Sequence, residues 1–175
     1  QPGDGGVDGV VGDDTGPAAG DPGVLALPAG EAISEGHFST GLACAQCHAN
    51  TDSARAMRDS EGRAIAPYDL WQSTAMANSS RDPLWRAVVS AEVAATPSQG
   101  EAIEAKCSRC HMPMGVTDAA LHGEAAAGLD LLQEDSARGQ LALDGVSCTA
   151  CHQIEPEGLG EVDAKKKRSI DRRVE

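Results

Sequence analysis

Hydrophobic positions along this chain recur at helical intervals, and no stretch shows the clear period of two that marks a half-buried strand. Pro67 suits the first turn of a helix. Tyr68, Trp71, Ala75 and Met76 then fall at i, i+3, i+7 and i+8 on one face, ahead of the Asn78-Ser79-Ser80 cluster. Asp82 followed by Pro83 predicts a second start, with Leu84, Val88, Ala91 and Ala95 as the apolar stripe running up to Pro97. Ser98 with Glu101 three positions later reads as a capping box. The helix it opens places Ile103, Cys107 and Cys110 on a common face. An Ala- and Leu-rich segment from Asp118 to Arg138 predicts one more helix, weakened by Gly123 and Gly128. The expected fold is mainly α with irregular loops and few or no strands.

Composition divides the chain further. Residues 1–30 hold nine Gly, four Pro and five Asp, with no Lys, Arg or aromatic residue. Such a stretch buries too little to offset its conformational entropy, so a disordered tether is expected. Residues 165–175 carry six of the 14 basic residues, Lys165, Lys166, Lys167, Arg168, Arg172 and Arg173, and form a basic tail. The folded part is expected at 31–164. The start of the chain at Gln1 fits a processed, exported chain or a fragment. With 27 acidic residues and a net charge of −13, the chain is ill suited to binding nucleic acid or anionic lipid electrostatically. No apolar run approaches the ~18 residues of a transmembrane segment. Aromatics make up 2 % of the 175 residues, which implies that something other than side chains fills much of the interior.

All six cysteines fall in three copies of one pattern: Cys44-Ala45-Gln46-Cys47-His48, Cys107-Ser108-Arg109-Cys110-His111 and Cys148-Thr149-Ala150-Cys151-His152. C-x-x-C-H is the attachment pattern of haem c. Two thiols one helical turn apart can each bond a vinyl group on one haem edge, and the adjacent imidazole then reaches the iron. Zinc ribbons use two CxxC pairs for four ligands, which leaves a third pair unmatched, and they give no reason for a His after each motif. With five His in the chain, chance would fill all three positions only about two times in 100,000. A thioredoxin-like redox motif needs a βαβ setting that is absent here. Disulfides within each motif would close tiny loops and stabilise little.

On these motifs the chain resembles the multihaem c-type cytochromes of bacteria, over most of residues 37–160. Trp71-Gln72-Ser73 through Met76-Ala77-Asn78, Arg81-Asp82-Pro83-Leu84-Trp85, Cys110-His111-Met112-Pro113-Met114 and Gly145-Val146-Ser147-Cys148 are similar to stretches of the large members. Members often continue with more motifs beyond the stretch matching His152-Gln153-Ile154, so this chain reads as a fragment or a short relative. The resemblance implies small helices wrapped around three covalent haem c groups, each with its iron, electron transfer, and a periplasmic, secreted or outer-cell-surface location.

His48, His111 and His152 are then the proximal ligands. The other face of each iron decides between a relay and an enzyme. His37 and His122 are the remaining histidines, and both lie upstream of a motif, as distal ligands of the family often do. Met76 is the candidate for the third iron, on a helix face shared with Tyr68 and Trp71. Met112 and Met114 are weaker candidates, and Met57 the weakest. Expected partners are redox proteins with basic docking patches, and self-assembly into an oligomer or a conductive filament is a further expectation. The competing function is a reductase acting on a small nitrogen oxide or peroxide at a five-coordinate haem.

Overall fold

The computed structural model describes residues 27–51, 56–124 and 128–154. The basic tail and most of the expected tether therefore lie outside the described residues. The chain is mainly helical. A two-stranded antiparallel hairpin, β1 (Ser34–Glu35) and β2 (Phe38–Ser39), turns at Gly36 with φ +62° and pairs Glu35 with Phe38. Among the described residues seven α-helices follow: α1 (Gly41–His48), α2 (Pro67–Trp71), α3 (Pro83–Ala95), α4 (Gly100–His111), α5 (Pro113–Leu121), α6 (Ala137–Leu143) and α7 (Cys148–His152). Among the described residues, no helix is long and apolar enough to cross a membrane.

Several expected elements are shorter or rotated. The helix opened by Pro67 ends at Trp71 and does not reach Met76. Ser73 Oγ donates to Leu70 O and Thr74 Oγ1 to Trp71 O, so hydroxyls take the carbonyls that a continuing helix would use. Helix α3 starts where Asp82 predicts, its carboxylate accepting from Leu84 N at 2.9 Å. Its buried face carries Trp85 and Val89, one position on from the expected stripe, and Leu84 is 70 % exposed. An indole offers far more area to bury than the Leu84 side chain and sets the rotation. The capping box of Ser98 and Glu101 does not form. Pro97–Gln99 make a 3-10 turn, and α4 begins at Gly100 without a side-chain cap.

The single helix expected from Asp118 to Arg138 is also broken. Helix α5 ends at Leu121, and Gly123 at φ +72° supplies the left-handed residue of a Schellman cap. Glu124 N bonds Ala119 O and Gly123 N bonds Ala120 O. A 3-10 turn at Leu129–Gln133 follows, and Ser136 then caps α6 by accepting from Gly139 N at 3.0 Å.

The interior is built mostly from aliphatic and thioether side chains, with Trp85 and Phe38 among them. Trp85, Val89, Met112, Val116, Leu131, Leu132, Ala142 and Leu143 form one buried cluster, with Leu27, Val93, Cys107 and Leu129 packed against it. Phe38, Met114 and Leu141 form a second, with Ala150 of the third motif against it. The scarcity of aromatics therefore does not leave this region without a core of its own. Helices α5 and α6 approach so closely that a Cβ on Gly115 would lie 2.8 Å from that of Ala142. Residues 27–30, which composition places in the tether, lie on this body: Arg81 donates to Pro28 O at 3.0 Å and Gln140 to Ala29 O at 3.3 Å. Leu27 packs against the core cluster at this point.

Candidate functional site

Each Cys-x-x-Cys-His unit ends or forms a helix: α1, α4 and α7 all finish on the motif histidine. Helical spacing puts the two cysteines of each motif one turn apart on one side. The first cysteines, Cys44, Cys107 and Cys148, are half-buried, while Cys47, Cys110 and Cys151 are exposed, and all six are free thiols. His48 and His152 are exposed and His111 is half-buried.

The second motif has the most developed surroundings. The His111 ring stacks on the indole of Trp85 with centroids 4.3 Å apart and planes 4° from parallel. Its Nδ1 lies 2.8 Å from Ser79 O, and a carbonyl can only accept. That bond fixes the proton of a neutral ring on Nδ1 and leaves the Nε2 lone pair for a metal, the usual way a second partner orients a ligating histidine. The Ser79 hydroxyl in turn lies 2.8 Å from His111 O. Buried polar atoms without a partner include Trp85 Nε1 and Ser108 Oγ, both at this motif. Exposed apolar side chains stand beside all three motifs: Leu42 on α1, Leu84 and Val88 on the helix that packs on α4, and Ile154 just past α7.

The first and third motifs meet. Thr149 Oγ1 accepts from Ser39 N at 3.1 Å and lies 2.8 Å from Ser39 O, tying α7 to the strand just before α1. Asp144 Oδ2 accepts from Gly41 N at 2.6 Å at the start of α1. Gly41 has no room for a side chain, since a Cβ there would lie 2.7 Å from the Trp71 ring. Trp71 Nε1 donates to Val146 O at 3.0 Å and pins α2 to the same junction. Cys44 and Cys148 are both half-buried, on the two helices α1 and α7 that pack together here. Burial first, then Cys148 and Asp144, pushes the Cys44 thiol above its ordinary range. Burial also raises the Asp144 carboxyl, partly offset by the Ser147 hydroxyl, the Gly41 amide and the Arg81 guanidinium. The same burial, with Asp144, Asp69 and Cys148 nearby, raises the Tyr68 phenol.

The remaining ligand candidates are scattered unevenly. His122, at the end of α5, has Nδ1 2.8 Å from Asp118 O, which again leaves Nε2 open. It lines a depression of about 380 Å³ together with Gly36, the neighbour of half-buried His37, so the hairpin turn and the end of α5 come to one place. Met76 is 52 % exposed, and the helical face it was expected to share with Tyr68 and Trp71 is not formed. Met112 and Met114 are fully buried in the two clusters, and Met114 Sδ lies 3.2 Å from Thr149 Oγ1. Met57 is exposed. Ser79, Thr149 and Asp144 escape a reading of the sequence, because each works through backbone neighbours distant along the chain. Trp85 stands in a stretch singled out by resemblance, but its stacking on His111 depends on the rotation of α3.

These residues fit a covalently held haem. Free, paired thiols on helices, an Nε2 left open at His111, unpartnered buried donors and exposed apolar flanks are what such a group requires of a protein. Among the described residues no three His, Cys, Asp or Glu side chains converge as a metal-ion cluster, and a haem iron needs no such cluster because the macrocycle supplies four of its ligands. Compared with known proteins, the chain matches no family model, no curated protein and no solved structure.

Proposed function

We propose that this chain is a multihaem cytochrome c that carries three covalent haem c groups and relays electrons between partners outside the cytoplasm. The observation that carries the reading is threefold repetition: three helices, each ending in the same Cys-x-x-Cys-His unit with both thiols free. Bound haem supplies a reversible one-electron iron couple. The chain's residues do the rest. Cys44 with Cys47, Cys107 with Cys110, and Cys148 with Cys151 tether one group each, and His48, His111 and His152 hold the iron from the near side. Ser79 and Trp85 keep the His111 ring in one plane. His37, His122 and Met76 are the candidates for the far side. The short helices wrap the three groups and shield their edges from water. The packing of α1 on α7 makes the first and third sites neighbours, a favourable arrangement for passing an electron between them. With a net charge of −13, the chain suits partners with basic docking patches, and salt weakens their association.

A reductase is the second reading, favoured by the ligand count: three irons and two spare histidines. Both readings are tested on chain matured in a host competent for haem attachment. Intact mass is expected to show three haems, with one lost in each double Cys→Ala variant of a motif. The bare polypeptide mass would remove the proposal. Inertness of the reduced protein to carbon monoxide fits the relay, and rapid binding fits the reductase. A near-infrared sulfur-to-iron band, lost in Met76→Ala, would identify the third far-side ligand.

A further inference from the structure

We infer that Trp85 is a positioning residue for the second haem and makes that site unlike the other two. The inference rests on the haem reading and adds which of the three irons has a near-side imidazole held in one orientation. Two groups grip the His111 ring in different directions. The Ser79 carbonyl meets Nδ1 at the ring edge, 2.8 Å away, and the Trp85 indole covers one face, with centroids 4.3 Å apart and planes 4° from parallel. Turning the ring about its bond to Cβ would drive it into the indole and break the Nδ1 bond in the same motion. Among the described residues, His48 and His152 have neither grip: both are exposed, with no aromatic contact and no ring hydrogen bond.

Trp85 arrives at this place through the backbone. Asp82 caps α3, α3 packs on α4, and the Ser79 hydroxyl bonds His111 O at 2.8 Å, so the first turn of one helix stands beside the last turn of the other. The indole is 8 % exposed, yet its Nε1 has no partner. Its polar edge therefore does not place it, and its flat face is what meets a functional group. A carbonyl that accepts from Nδ1 raises the basicity of Nε2, the ligating atom, and so favours ferric over ferrous iron. The stack keeps that bond made. The Ser79 acceptor is a main-chain atom, which leaves Trp85 as the half of the grip that a side-chain substitution can remove. The plane of an axial imidazole also governs how the unpaired spin of ferric iron spreads over the macrocycle. A ring held in one plane gives widely spread shifts among the haem methyl groups, and a turning ring gives a narrower set.

The test uses haem-loaded chain matured in a host competent for attachment. The parent is compared with Trp85→Phe, which keeps a stacked ring, and Trp85→Leu, which keeps only apolar bulk. Proton magnetic resonance of the ferric forms and midpoint potentials are recorded, the second haem being the set of signals missing from Cys107→Ala/Cys110→Ala. Trp85→Leu is expected to narrow the methyl shifts and raise the potential of the second haem alone, with Trp85→Phe close to the parent. A Trp85→Leu chain with haem on the first and third motifs only, beside a Trp85→Phe chain with all three, also supports the assignment. Unchanged signals in Trp85→Leu, equal changes at all three haems, equal changes in both variants, or loss of every haem from both would overturn it. A parent of bare polypeptide mass would sink the haem reading and this inference together. Three haems on the parent, with a second site indifferent to Trp85, would sink this inference alone.

Discussion

Replacing Gly145 with Ala tests whether the turn before the third motif is locked to the second. Gly145 follows α6 at φ +66°, a conformation that costs an L-residue roughly 1–2 kcal/mol. A Cβ there would also lie 2.6 Å from Met76 O, 2.8 Å from Ser79 Oγ and 3.0 Å from Ala77 O. Two of these are backbone atoms in a turn whose Met76 O accepts from Val146 N, so the turn cannot simply swing aside. Overpacking of this kind costs about 1–3 kcal/mol more. Gly36 and Gly123 are the controls, with φ +62° and +72° and nothing within 4 Å of an added Cβ. Gly36→Ala and Gly123→Ala should show the backbone cost alone, and Gly145→Ala the backbone and steric costs together. In thermal unfolding followed by circular dichroism, the extra loss should lower Tm by roughly 5–15 °C beyond the controls. Displacing Ser79 should also loosen the His111 ring and shift the absorption spectrum of the haem-loaded protein. A Gly145→Ala variant no less stable than Gly123→Ala would refute the locked turn.

The rotation of α3 predicts that Trp85→Ala costs about 3–5 kcal/mol, while Leu84→Ala changes stability by no more than about 0.5 kcal/mol. Urea midpoints compare the two, and equal losses would restore the stripe read from periodicity. Asp144 has a folded pKa above its ordinary 3.8 because of burial, so its ionisation disfavours the native state. Stability should therefore fall as pH rises through the interval between 3.8 and the raised value, then level off. Asp144→Asn, which keeps an acceptor for Gly41 N, should flatten that limb in denaturant titrations across the acid range. Arg138→Leu should cost about 3 kcal/mol, because it leaves the 11 %-exposed Asp118 carboxylate without the guanidinium 2.7 Å away. Arg138→Leu/Asp118→Leu should recover most of that loss, and a double variant no better than the single would count against the pairing.

How much of this was legible in the residues varies with the range of the interaction. The helical class and the Asp82-Pro83 start rest on neighbours within a few positions, and both hold. The extent of the helix after Pro67 depends on Ser73 and Thr74 taking carbonyls, a local competition that periodicity ignores. The face of α3 was ambiguous because Leu84/Val88 and Trp85/Val89 repeat at the same spacing. Only packing on the core chooses between them. The junction of the first and third motifs joins Ser39 to Thr149 and Gly41 to Asp144, contacts across more than half the chain that no spacing rule reports. The core itself was underestimated, because Leu, Val, Met and Ala replace the aromatic area that was counted as missing.

Ser79 and His111 exchange two bonds, ring to carbonyl and hydroxyl to carbonyl, and so shut the mouth of the hairpin made by α3 and α4. A helix is ordinarily weakest at its last turn, where the final carbonyls find no partner within it. Here the loose end is stitched to the base of its neighbour, and peeling it back means breaking both bonds in one motion. Amide hydrogens along the two helices should thus exchange as one unit, with no early melting at the end that bears the imidazole.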